Sequence, residues 1–405
     1  MKIAIIGAGV VGVTTAYMLA KIGHEVSVFD REPRAAMESS FANGGQLSYG
    51  FASPMGTPSL LGKVPNILFG RDPAFRMPST LSFAFMRWSL QFLRHCQARQ
   101  SRADGAALSA LAHRSGTVFE EILADINFDF GHRTANKLVL LKKEKDVRDA
   151  ELEIDQPRRE ILTWDACLER EPALQGYKGE AAGGLWIHGD AVGDAARFSE
   201  QMVKHCETGF GVRFFFNTDI TDINSPRHGQ HQLVMSTGEK ENFDAIVVCT
   251  GVAGTQFLQR LDIRLPIYPV MGYSLTAPLG SNPPEVAITD AGYKIVFSRI
   301  GDQIRIAGFA DFGIASEERR RQRVQDLIRT VRTLIPDVAD YANLKSTWIG
   351  ARPATPSSLP IVGQSKVPGV YLNMGHGMFG WTLSAGAAQS LADTIGPATH
   401  ASRAA

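Results

Sequence analysis

Apolar positions along the first thirty residues change spacing twice. A continuous apolar run at Ile3 to Ile6 predicts a strand from Lys2 to Ile6, and helical spacing follows from about Val10 to Ile22. A second apolar run predicts a strand from Glu25 to Asp30. Lys21-Ile22-Gly23-His24 ends the helix with a cation and then glycine, as a helix C-terminus requires. Strand, helix and strand in this order imply parallel pairing and a doubly wound sheet. The run Ile3 to Ile6 is too short for a secretion signal, so it is read as the first strand of the fold.

The pattern is different further on. Residues 51–80 are rich in Pro, Gly and Ser, and Leu81 to Arg99 reads as one helix carrying aromatic and basic residues. Residues 105–180 are mostly helical, with a strand at Lys137 to Lys142 and an acidic helical surface around Lys143 to Glu153. A second α/β stretch comprises Gly184 to His188, a helix through Ala195 to His205, and strands Val212 to Phe216 and Ala245 to Cys249. Short β-rich runs at Ile267 to Thr276, Tyr293 to Ser298 and Gln303 to Ala307 predict a mixed or antiparallel sheet. A charged helix at Ser316 to Leu334 and a last helix from Thr382 to Ile395 follow, and the Ala-rich tail after Gly396 reads as disordered.

A chain of 405 residues exceeds the roughly 250 to 300 at which single cores stop growing, so two lobes are expected. The expected class is α/β with an α+β second lobe: a Rossmann-type nucleotide domain made of 1–50, 181–262 and 340–405, interleaved with a substrate domain made of 51–180 and 263–339. A formal net charge of +1 gives no electrostatic footprint for nucleic acid, which leaves a small molecule as the expected ligand. Cys96, Cys167, Cys206 and Cys249 are far apart, with no CxxC or Cys/His cluster. That spacing argues against a metal site or a disulfide scaffold and fits a reducing, cytoplasmic compartment.

Gly7-Ala8-Gly9-Val10-Val11-Gly12 lies between the first strand and helix, and Asp30 ends the second strand, with Arg31 beside it. The first glycine makes the turn, the second admits a pyrophosphate, and the third lets helix and strand pack closely. Phosphate then meets the helix N-terminus, and Asp30 accepts from the adenosine ribose. This fingerprint predicts a dinucleotide but does not choose between FAD and NAD.

Ser39-Ser40-Phe41-Ala42-Asn43-Gly44-Gly45-Gln46 resembles the second flavin-contacting loop of the D-amino-acid oxidase, glycine oxidase and sarcosine oxidase superfamily. Three later segments match in order: Asp244 to Gly251, Gly350 to Gly363, and Asn373 to Thr382. The resemblance spans nearly the whole chain and is nearest to bacterial D-amino-acid dehydrogenases of the small-subunit type, which share Tyr268-Pro269 and Gly272-Tyr273-Ser274-Leu275. Met271 departs from that pattern where lysine is common, Tyr49 where proline is, and Ser357 where aspartate is; all three changes are expected near flavin or substrate.

The resemblance implies FAD. Its contacts would come from the glycine fingerprint, Asp30, Arg31, Ser39, Asn43, Gly44, Gln46, Ile220, Thr250, Gly251, Gly375, Gly377, Gly380 and Thr382. No cysteine lies in the last flavin segment, so the cofactor is expected to be held non-covalently. Gly375-His376-Gly377 precedes a helix start, whose free N–H groups suit the negative charge of reduced flavin.

Arg352 offers a rigid fork for a carboxylate, and the resemblance implies that it holds the substrate carboxylate over the flavin, against the alternative of a surface or interdomain salt bridge. Tyr273 and Tyr293, on predicted strands, could aim hydroxyls at the substrate or simply pack, and His376 could contact substrate or flavin. The implied reaction is oxidative deamination: hydride passes from the α-carbon to flavin N5, and the imino acid hydrolyses to a keto acid and ammonia. Alternatives are oxidation of D-proline, D-hydroxyproline or sarcosine-like amines, an NAD-dependent dehydrogenase, and a non-catalytic flavoprotein subunit. The electron acceptor is expected to be a quinone, another carrier or oxygen. Phe83, Phe85, Trp88 and Phe92 with Arg87 and Arg94 suggest peripheral contact with the inner face of the cell membrane, against the alternative of core packing.

Overall fold

The computed structural model describes residues 1–78, 81–152, 158–226 and 229–398. Strands Lys2–Ile6 and Glu25–Phe29 pair in parallel, joined by the helix Val10–Lys21, and both are buried because helices cover the sheet. They belong to a six-stranded sheet in the order Arg213–Phe215, Glu25–Phe29, Lys2–Ile6, Ala245–Val248, Val370–Met374, Ile361–Gln364. All pairs are parallel except the last. The helix Val10–Lys21 packs against Ala195–Phe210 and Gly380–Ile395, which accounts for ten buried residues on a twelve-residue helix. The tail after Gly396 lies, from 399 on, outside the described residues, as does Glu153 at the end of the acidic helix Glu144–Leu152.

A nine-stranded, mainly antiparallel sheet forms the second layer. Its path runs Ser346–Ala354, Tyr268–Pro278, Gln303–Phe312, Ile295–Ile300, Ala287–Asp290, Lys137–Leu141, Gly183–Ile187, Arg159–Thr163, with Phe75–Arg76 beside Gln303–Phe312. The helix Glu317–Leu334 covers one face through Val324, Leu327 and Val331. The segments 183–187 and 346–354, grouped by sequence with the nucleotide lobe, hydrogen-bond within this large sheet. Their apolar runs do not reveal which sheet accepts them, because register partners lie far away in sequence.

The helix expected from Leu81 to Arg99 is two helices. Ser82 caps Phe83–His95 by accepting from Phe85 N–H, and extended backbone at Gln97 starts Ala98–Asp125. The break turns the chain so that His95 meets Asp104 at 2.6 Å. Tyr293, expected on a strand, sits in the turn before Ile295–Ile300; Asp290 builds that turn by accepting from the Gly292 and Tyr293 N–H groups.

Candidate functional site

A cavity of about 1080 Å³ runs between the two sheets from the glycine fingerprint to the face of the large sheet. At one end Gly7 adopts φ +104°, and a Cβ there would lie 2.8 Å from Cys249 O. A Cβ on Gly12 would fall 1.8 Å from Gly7 O, so only glycine permits this helix-to-strand approach. At Gly9 the nearest protein atom to a Cβ, Ser40 Oγ, is 3.4 Å away: the protein leaves room there that a ligand backbone can use.

Asp30 lines the cavity and accepts from Ala8 N–H at 2.5 Å and Glu32 N–H at 2.9 Å; burial raises its pKa against those two bonds. Arg31, also on the wall, is engaged by Glu38 and Glu32. Ser40 Oγ accepts from Val10 N–H at 3.1 Å, capping a helix start that has no cap from its own N-cap residue. The sequence pattern alone does not mark Ser40, although it stands in the Ser39 to Gln46 loop. Ser39 instead donates to Ala351 O at 2.5 Å, fastening the loop to the large sheet.

Asn43 Oδ1 accepts from Gly45 N–H at 2.9 Å, and Gly44 has no space for a Cβ beside Val296. Gln46 lines the cavity, and its side-chain amide donates to Ile288 O at 3.1 Å, stitching the loop to the sheet. Thr382 Oγ1 accepts from Ser48 N–H at 3.0 Å, and the helix Gly380–Ile395 starts without a side-chain cap. Ile220, Thr250, Gly251, Gly375, Gly377 and Gly380 all line the same cavity.

Among the described residues, three buried polar atoms of the wall residues have no partner: Thr250 Oγ1, Asn373 Oδ1 and His376 Nε2. Buried polar groups are normally satisfied, so a ligand with donors and acceptors fits here. Together with the glycine cradle and the acid at Asp30, these atoms match a dinucleotide carrying a polar ring system, and FAD fits the residues present. Burial pushes the His376 pKa to about 3, which makes its ring neutral at physiological pH.

At the far end Arg352 stands on Ser346–Ala354, opposite Val270. It donates to Phe309 O at 2.8 Å and forms no ion pair among the described residues. Its guanidinium lies over Gly272, where a Cβ would be 2.3 Å from Nη2. Burial lowers its pKa, and the charges of Asp311 and Tyr273 oppose that.

Tyr273 also lines the cavity, but its hydroxyl donates to Asp311 at 2.9 Å, and Arg323 clamps the same carboxylate at 2.8 and 2.9 Å. With that proton committed, Tyr273 contributes a wall rather than a free donor. Tyr293 is absent from the lining; its ring lies 6.0 Å from the Lys142 ammonium. Met271, Tyr49 and Ser357 are likewise absent from the lining. Met271 packs into the core that the helix Glu317–Leu334 covers, Tyr49 joins the core beside the helix Val10–Lys21, and Ser357 accepts from Leu359 N–H. Sequence reasoning missed Lys137, Ser48, Phe51 and Lys294 on the wall. The visible signal was a lysine opening the otherwise apolar strand KLVLL.

The profile of the FAD dependent oxidoreductase family matches residues 2–394. A D-amino acid dehydrogenase of Rhizobium johnstonii is 34% identical over 98% of this chain and 96% of its own length. One from Cereibacter sphaeroides is 36% identical over 98% and 92%. Among solved structures, glycine oxidase from Geobacillus kaustophilus superposes with a TM-score of 0.71 at 21% identity, covering 98% of this chain and 95% of its own, which shows a shared fold. The glycine cradle, the unpartnered polar atoms of the cavity and these likenesses agree, and the chain belongs to the FAD dependent oxidoreductase family.

Proposed function

We propose that this oxidoreductase deaminates D-amino acids oxidatively, with Arg352 holding the substrate α-carboxylate. The observation carrying the reading is a guanidinium on the wall of the FAD cavity that has no carboxylate ion-pair partner among the described residues. Bound FAD supplies the hydride acceptor. Arg352 fixes the carboxylate through two parallel N–H donors, which orients the α-carbon and removes rotational freedom before reaction. Neutral His376 leaves Nε2 able to accept a hydrogen bond from substrate or cofactor. The D preference follows the names of the 34–36% identical relatives. An anaerobic absorption spectrum tests it: D-amino acids should bleach the flavin band and their L-enantiomers should not, whereas equal bleaching by both removes the D assignment.

The electron acceptor on this reading is a membrane quinone. Phe69 and Phe83 are 74% and 78% exposed, and Met86, Leu90 and Leu93 extend the apolar strip along Phe83–His95. Phe85, Trp88 and Phe92 fill the opposite, buried face, so that helix serves both the core and an apolar surface. Arg87 and Arg94 stand on the same helix, Arg71 lies over the Phe69 ring, and Leu60 and Lys63 line the cavity. A basic, apolar rim suits an anionic bilayer surface. Among the described residues no helix is long and apolar enough to cross a membrane. Sedimentation with anionic vesicles tests the contact, and Phe83→Ser with Leu90→Ser should abolish it.

A further inference from the structure

The large sheet presents a second cation to the cavity. Lys137 opens the strand Lys137–Leu141, is 4% exposed and lines the cavity wall. Its ammonium donates to Ser48 Oγ at 2.7 Å and lies 5.3 Å from the centre of the Phe51 ring. Among the described residues no carboxylate forms an ion pair with it. Asp190, the acid that acts on it through space, accepts from Gly50 N–H at 2.7 Å, and burial raises its own pKa, weakening it as a counter-charge. Arg159 donates twice to Gly50 O and adds positive charge nearby.

An ammonium has three donors, and burying it without an anion is strongly unfavourable. Burial accordingly pushes the Lys137 pKa down to about 8. Lys63, Lys137, Lys294 and Arg352 line the cavity together with Asp290; the other acids of its described lining, Asp30, Glu38 and Asp219, accompany the glycine fingerprint and Ile220. Asp290 is already engaged by Tyr177 and by the Gly292 and Tyr293 N–H groups. Arg352 accounts for one substrate carboxylate, which leaves a positive wall without a ligand group to meet it.

We infer that Lys137, assisted by Ser48, recognises an acidic side chain, so that the preferred substrates are amino acids with a second carboxylate. This rests on the deamination reading above and names the substrate class within it. The two carboxylates of such a substrate divide between Arg352 and Lys137, and the ammonium gains the anion that the protein withholds.

The test uses the FAD-loaded protein. Anaerobic flavin reduction is titrated with D-aspartate, D-glutamate, D-asparagine and D-glutamine, and binding of glutarate and butyrate is followed by the flavin spectral shift, for the wild type and Lys137→Met. A charge-assisted contact should favour acid over amide, and glutarate over butyrate, by about tenfold to a hundredfold in the wild type. Lys137→Met should bring both ratios close to one. A wild type that does not prefer acid to amide overturns the inference without any variant, and so does a ratio that survives Lys137→Met. If no amino acid reduces the flavin, the deamination reading has failed, and the glutarate-to-butyrate ratio alone still decides whether Lys137 binds a second carboxylate.

Discussion

Replacing Arg352 by methionine should separate substrate binding from folding. Without substrate the guanidinium makes, among the described residues, one hydrogen bond, to Phe309 O at 2.8 Å, and no ion pair. Losing that bond costs about 1 kcal/mol, while removing an unpaired, desolvated cation returns a comparable amount. The melting temperature is therefore expected to move by no more than about 4 °C. Binding loses much more, because the substrate carboxylate would enter the cavity without its partner. Truncating one member of a buried charge pair costs about 2 to 5 kcal/mol, or roughly 30-fold to several thousand-fold in affinity.

Stopped-flow flavin reduction under anaerobic conditions, at increasing substrate concentration, gives the half-saturation value directly. It should rise by that factor in Arg352→Met, and Arg352→Lys should recover only part of it because lysine lacks the planar fork. Unchanged half-saturation in Arg352→Met would refute carboxylate binding at this residue. A melting temperature that falls together with activity would instead show that Arg352 is structural.

Gly12→Ala should abolish FAD retention on gel filtration, because its Cβ would lie 1.8 Å from Gly7 O and the helix start must move. Gly272→Ala would place a methyl group 2.3 Å from Arg352 Nη2. A flexible side chain can yield, so FAD content should hold while half-saturation by substrate rises about tenfold; unchanged kinetics would mean the guanidinium is not placed by this glycine. Lys137 has a folded pKa of about 8 against the ordinary 10.5, so the unfolded chain holds a proton the folded one lacks between those pH values. Stability should rise with pH across that window and level off below it, and Lys137→Met should remove this slope from urea midpoints measured at intervals from pH 7.5 to 10.5.

The nucleotide end of this protein was legible locally. The turn at Gly7, the close packing at Gly12 and the acid at Asp30 lie within one strand-helix-strand unit, whose geometry follows from spacing and residue type. Helix limits were less legible: nothing between Leu81 and Arg99 announces that Gln97 is extended, because the break serves the contact between His95 and Asp104. Whether Tyr273 offers a free hydroxyl or packs is decided by Asp311, 38 residues away, which accepts from it, and by Arg323, which clamps the same carboxylate.

By itself, then, the sequence determined a nucleotide-binding unit, since that depends on residues close together in the chain, while resemblance to a family supplied the flavin-type loop and the choice of Arg352 as a carboxylate partner. Tertiary structure alone decided which sheet takes the segments 183–187 and 346–354, and it removed Met271 from the cavity. It also brought Lys137 to Ser48, 89 residues apart in sequence, and left that amine buried without an ion-pair partner among the described residues. The physical reason is that electrostatic environment and strand pairing depend on which distant groups are brought within a few ångströms. Local periodicity records only which face of each element is apolar.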